Sequence, residues 1–266
     1  MDTDRPIGVF DSGVGGLTVV RALLSQLPHE NIVYFGDTAR VPYGPKSPNV
    51  VREYAAQDTD VLLGHEVKLI VVACNTVSAV ALDVVQQRSR VPVVGMIAPG
   101  AGAAVGASRS KRIGVIGTAG TIKSQAYVNA IHLLDPAVHV FGHACPLFVP
   151  LVEEGWIDHP ATKIITKEYL FPLLLEKVDT IVLGCTHYPL LMETMRAFLQ
   201  NNVALIDSGK AAAAAVESEL RSRNLINASP EKPRLQFFVS DVPDKFAEIG
   251  ERFLGRTLGR VSRVPI

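Results

Sequence analysis

The sequence predicts an α/β fold: two pseudo-symmetric lobes built on mainly parallel sheets, with the working site in the cleft between them. Three observations carry that prediction. Short β-rich runs alternate with helical stretches, as βαβ units require. The order of strand motifs in the first half recurs in the second. Two of the recurring strands end in a cysteine, since the run from Thr180 to His187 lines up with the run from Leu69 to Thr76 thiol on thiol.

Taken in order, residues 7–10 form a short apolar run that stops at Asp11-Ser12-Gly13-Val14-Gly15-Gly16, after which Leu17, Val20, Leu23 and Leu24 recur with helical spacing. This is strand, glycine-rich turn and helix. The dinucleotide fingerprint fails because Thr18 stands where a third glycine is needed. Two readings of the turn stay open: backbone N–H groups presented to an anion at a helix start, or a tight turn in which Asp11 and Ser12 cap the helix. Residues 31–35 give a second strand. The loop at 38–48, with three prolines and Tyr43-Gly44, is long enough to bind something.

A helix over 50–63 feeds the central run Lys68-Leu69-Ile70-Val71-Val72-Ala73-Cys74-Asn75-Thr76, whose apolar body reads as a buried parallel strand. A helix over 76–87 and a strand over 91–96 follow. Gly100-Ala101-Gly102 marks either the crossover between lobes or a helix packed closely on its sheet. A phosphate loop there lacks the acidic residue about 20 positions on that a ribose contact requires. The pattern restarts near Lys111, with Ile113-Gly114-Val115 on Ile7-Gly8-Val9 and Phe141-Gly142 on Phe35-Gly36. The second thiol strand and a fourth strand at 203–206 complete the repeat. An alanine-rich helix over 211–223, a strand over 235–239 and a final helix have no repeat partner and return to the first lobe. The expected division is 1–97 with 208–266, carrying Cys74, and 98–207, carrying Cys185. Arg252, Arg256 and Arg260 read as a solvated face.

Composition narrows the function. The 266 residues suffice for one domain or two lobes. The 26 basic and 26 acidic side chains cancel, leaving no global field for nucleic acid or an anionic membrane. Residues 1–6 are polar and no apolar run approaches the roughly 18 residues of a membrane span, so a cytoplasmic location is expected. Three cysteines, without paired spacing, read as free thiols rather than a disulfide framework or a zinc site. Cys145, beside Pro146, Leu147 and Phe148, reads as core. A small molecule is the expected partner.

If the lobes face one another about an approximate two-fold axis, Cys74 and Cys185 flank whatever lies between. That geometry suits a base on one face of a carbon and an acid on the other, which is racemisation. A thiol with an ordinary pKa near about 8.5 serves either role. One cysteine must start as thiolate and the other as thiol, and a helix start after each would favour the thiolate. His187 can assist Cys185, and Asp11 can assist Cys74. Asn75, Thr76, Thr118, Thr121 and Thr186 offer donors for a carboxylate.

Six blocks of the chain resemble the bacterial glutamate racemases: FDSGVGGLTV at 10–19, GDTARVPYG at 36–44, ACNT at 73–76, IGVIGTAGTI at 113–122, CPLFVPLVEEG at 145–155 and GCTHYPLL at 184–191. The resemblance implies interconversion of L- and D-glutamate without a cofactor or metal, supplying D-glutamate for peptidoglycan. It implies Cys74 and Cys185 as the acid/base pair, with Asp11, Glu153 and His187 assisting. It implies that Asp11, Ser12, Tyr43, Gly44, Asn75, Thr76, Thr118, Thr121, Thr186 and His187 hold the substrate. Glu153 comes from the resemblance alone, since Glu154 stands beside it. Dimers are common in that family, so a homodimer is implied without an interface. Some members carry an N-terminal extension tied to activation by a cell-wall precursor; here the first strand starts too early for one to be expected. The alternatives are an aspartate racemase or other two-cysteine relative such as a hydantoin racemase, a two-lobed amino-acid-binding protein without chemistry, and a pyridoxal-phosphate racemase. The last needs a Schiff-base lysine, which no cleft stretch supplies at a strand end.

Overall fold

The structure, a computed structural model, describes residues 2–200 and 202–266. Its strands are β1 (Ile7–Asp11), β2 (Ile32–Gly36), β3 (Leu69–Val72), β4 (Val93–Gly95), β5 (Arg112–Gly117), β6 (His139–Ala144), β7 (Thr180–Gly184), β8 (Ala204–Asp207), β9 (Leu235–Val239) and β10 (Val261–Arg263). They form a six-stranded sheet, β10-β9-β2-β1-β3-β4, and a four-stranded sheet, β6-β5-β7-β8. Every pairing is parallel. The order β2-β1-β3-β4 in the first sheet is the order β6-β5-β7-β8 in the second, so the repeat read from the sequence is a repeat of topology.

Register makes the repeat exact at the thiol strands and corrects it elsewhere. Ile7 pairs with Leu69 as Ile113 pairs with Thr180. On the other side, Gly8 pairs with Val33 and Gly114 with Phe141. Phe141 is therefore the counterpart of Val33, and the expected match of Phe141-Gly142 to Phe35-Gly36 is two residues out. Along β1 and β3, successive residues alternate between two cores: Ile7, Val9, Leu69 and Val71 join the central cluster, while Phe10, Ile70 and Val72 join the cluster on the opposite face. Both faces being covered explains why these strands are apolar throughout.

The expected helix over 76–87 is two helices, Asn75–Val80 and Leu82–Arg88, broken at Ala81 with φ −141°. The 100–102 stretch lies within the helix Ile97–Ala107, where a Cβ on Gly100 would stand 3.0 Å from the Tyr127 hydroxyl, so close packing is its role. The helix Pro160–Leu175 and strand β10 were not anticipated. The segment after β8 runs through the helix Ser208–Ser222, capped by Asp207 on the Gly209 and Lys210 N–H groups, to β9 beside β2 in the first sheet. Among the described residues, no helix is long and apolar enough to cross a membrane.

Candidate active site

The carboxyl ends of β3 and β7 open on one cavity of about 430 Å³, within the range of small-molecule sites. Cys74 and Cys185 both line it, and both are nearly buried, at 6% exposure. Ser12, Tyr43, Gly44, Asn75, Thr76, Thr118, Glu153, Thr186 and His187 line it as well. Asp11 and Thr121 stand one step behind the wall. No lysine or arginine is among the lining residues, so a bound carboxylate would meet hydroxyl, amide and backbone donors.

In the turn after β1, Asp11 Oδ2 accepts from the Gly13 and Gly16 N–H groups at 3.2 and 3.0 Å; this ties the turn itself, while the helix beginning at Leu17 has no side-chain cap, contrary to the capping reading. Asp11 Oδ1 is buried without a partner. The glycines serve a different purpose from backbone contact with a ligand. A Cβ on Gly15 would overlap Thr186 Oγ1 and stand 2.5 Å from His187 Nδ1, and one on Gly16 would stand 2.6 Å from the Asp11 Cβ. Bare backbone here lets the second thiol's neighbours close against the first half. Thr18 Oγ1 then donates to the Thr186 carbonyl at 2.9 Å, tying the two together.

The loop between β2 and the helix Pro48–Leu63 crosses the cleft. The Gly120 N–H donates to the Gly44 carbonyl at 3.0 Å, and a Cβ on Gly44 would stand 2.8 Å from the Thr118 Cβ. Tyr43 lines the cavity, but its hydroxyl turns away and donates to Asp37 and Asp58, both fully buried. Arg40 bridges the same two carboxylates, at 2.5 and 3.0 Å. Thr76, Thr118 and Thr121 form a triangle of hydroxyls with edges of 2.9, 3.1 and 3.3 Å. Asn75 lines the cavity with one Nδ2 hydrogen to spare: its Oδ1 accepts from Tyr127 at 2.7 Å and its other Nδ2 hydrogen goes to Ser208 at 3.3 Å.

The two thiols differ in surroundings. Burial, with the Asp11 carboxylate beside it, pushes the Cys74 thiol up to about 12. Its sulfur lies 3.8 Å from Ser12 Oγ. The expected lowering by the helix start at Asn75 is present through the Val77 N–H, but burial outweighs it. Cys185 meets no α-helix start; the segment beyond it is the 3₁₀ turn Tyr188–Leu191. Its sulfur lies 3.9 Å from His187 Nδ1, and His187 Nε2 lies 2.9 Å from Glu153 Oε1. Burial opposes charge on the His187 ring, yet contact with Cys185 and Glu153 prevails and raises it to about 10. Burial also raises the Asp11 carboxyl, against the pull of His187 and the turn N–H groups. Cys145 is fully buried outside this cavity, its thiol pushed up by burial.

Sequence reasoning reached Glu153 only through the resemblance and overlooked the contacts of Arg252. Glu153 is half-buried and aimed at His187, whereas Glu154 is exposed. Arg252 is exposed, as expected of a solvated face, and also donates from Nη1 to the carbonyls of Val152 and Glu153, each at 3.2 Å.

The family model described as Asp/Glu/Hydantoin racemase matches residues 7–216. A glutamate racemase of Syntrophus aciditrophicus (strain SB) is 54% identical over 262 residues, covering 98% of this chain and 97% of its own. The crystal structure of glutamate racemase from Francisella tularensis in complex with D-glutamate superposes with a TM-score of 0.91 at 40% identity, covering 99% of this chain and 98% of that one. The Thermus thermophilus glutamate racemase, in complex with β-chloro-D-alanine, gives 0.89 at 43% identity, covering 100% and 99%.

Proposed function

The chain belongs to the Asp/Glu/hydantoin racemase family, and from that premise we propose that it interconverts L- and D-glutamate by proton transfer between two cysteines. It is an isomerase, and its product D-glutamate supplies peptidoglycan synthesis in the cytoplasm. The observation that carries the reading is the convergence of Cys74 and Cys185, from equivalent ends of repeated strands, on one cavity.

One sulfur takes the α-hydrogen as a proton, breaking the Cα–H bond and forming S–H. The other sulfur gives its own proton to the opposite face, so one bond to hydrogen is lost and one gained at carbon. Burial and the neighbouring Asp11 carboxylate favour the protonated thiol at Cys74, while the Glu153–His187 couple adjoins Cys185.

Asp11, one step behind the cavity wall, supports the Cys74 side; Glu153 and His187 support Cys185. Ser12, the Tyr43-Gly44 backbone, Asn75, Thr76, Thr118 and Thr186 hold the substrate, with Thr121 behind them. The reading uses no cofactor or metal. It takes 1–97 with 208–266 as the lobe of Cys74 and 98–207 as the lobe of Cys185, a division supported by the two sheets, and it takes a homodimer as the assembly.

Incubating L-glutamate with the protein in deuterated water, without added cofactor, tests this. Deuterium should enter the α-carbon as optical activity decays. Intact α-hydrogen would leave binding without chemistry as the better account, and faster loss of rotation from aspartate would move the substrate.

A further inference from the structure

The duplicated strands bring two similar thiols to the cavity; His187 and Glu153 already set Cys185 apart, and an element outside the repeat adds to that difference. The helix Pro243–Leu254 is such an element: it follows β9, has no counterpart in the second sheet, and packs on the helix Leu17–Gln26 of the first half. Its last turn nevertheless reaches the surroundings of Cys185. Arg252 Nη1 donates to the carbonyls of Val152 and Glu153 at the end of the helix Phe148–Glu153, the first of which also accepts from the Gly155 N–H at 3.0 Å. Gly155, with φ +76°, leaves the room this takes, since a Cβ there would stand 3.0 Å from the guanidinium. The next residue, Phe253, is fully buried and sets its ring edge-to-face with His187, centroids 5.1 Å apart at 82°. One residue thus fixes the backbone of Glu153 and its neighbour fixes the ring to which Glu153 bonds. The near neighbours of Cys74, Asp11 and Ser12, belong to the repeated part.

We propose that Arg252 and Phe253 are positioning residues for one base only, holding the Glu153–His187 couple in line with Cys185 while leaving proton transfer at Cys74 untouched. The proposal rests on the two-thiol reading above. The enantiomers have equal free energy, so any variant must lose kcat/KM by the same factor in both directions; a directional loss of rate cannot be the test. The α-deuterium isotope effect can be. Slowing the Cys185 transfer makes Cα–D cleavage more limiting when Cys185 is the base. When Cys74 is the base, the same change makes the later reprotonation more limiting and hides the cleavage.

Arg252→Met and Phe253→Leu, compared with the unaltered protein on α-deuterated L- and D-glutamate, supply the measurement. Each should lower kcat/KM by about tenfold, the scale of a small misplacement of a catalytic group. In each, the isotope effect should grow from one enantiomer and shrink from the other, and Arg252→Lys, which keeps a donor, should restore most of both. Isotope effects that stay unchanged, or move together, would mean a general loss of active protein and overturn the proposal. Should one variant not fold, the other carries the same readout. If the unaltered protein fails to exchange the α-hydrogen of glutamate, it is the functional reading that falls, before any variant is compared.

Discussion

His187 Nε2 stands 2.9 Å from Glu153 Oε1 while Nδ1 of the same ring faces the Cys185 sulfur at 3.9 Å. The ring is therefore a bridge between a carboxylate and a thiol, and its charge depends on both. Its folded value, raised to about 10, means that the imidazolium persists through neutral pH and is lost as pH climbs through that value. Glu153→Gln removes one of the two groups that hold the proton there. The alkaline limb of the kcat/KM profile should move to lower pH, with a loss of about tenfold at neutral pH. A limb that does not move would detach Glu153 from His187 in function.

Cys74→Ala and Cys185→Ala should each abolish racemisation, by at least about a hundredfold, the contribution of a positioned acid or base. Removing one sulfur from a packed site costs about 1 kcal/mol, so Tm should fall by only about 2–4 °C. Thermal unfolding beside the optical assay separates loss of chemistry from loss of fold. Full activity in either variant would remove that residue from the mechanism.

Gly15→Ala probes the contact between the two halves. The added methyl would collide with Thr186 Oγ1 and with the His187 ring. Overpacking of this kind costs about 1–3 kcal/mol, and relief requires His187 to move. Activity should drop by about a hundredfold in protein that still unfolds cooperatively; an active variant would show that the ring has freedom to spare.

Tyr43→Phe deletes a hydroxyl that donates to both Asp37 and Asp58. Two buried carboxylates then lose a shared donor, a cost of about 1–3 kcal/mol. The loop carrying Gly44 loosens, so KM for glutamate should rise by about tenfold while kcat changes little, the pattern of lost uniform binding. A fall in kcat at constant KM would place Tyr43 in the chemical step instead.

The thiols were legible in the sequence because each ends an apolar strand and each strand is repeated, a coincidence that packing alone does not produce. His187 and Asp11 were legible as neighbours of those ends. Glu153 was legible only by resemblance: two adjacent glutamates at the end of a six-residue helix look alike until the rotation of that helix is known. Arg252 was illegible for a related reason. Its carbonyl partners are about a hundred residues away, and an exposed arginine near a helix end gives no sign of them when only its own helix is considered. The misplaced Phe141 shows the limit of short matches, because a Phe-Gly pair fixes neither register nor the length of the connection before it.

The triangle of Thr76, Thr118 and Thr121 bears on how a single cavity receives two mirror-image molecules. Each hydroxyl both gives and accepts, and its hydrogen rotates freely. Three such groups within 3.3 Å of one another can donate around the ring clockwise or counterclockwise. Reversing the circulation displaces three hydrogens and no heavier atom. If these hydroxyls hold both enantiomers, as proposed, the pocket wall could reverse their polarity without moving a heavier atom.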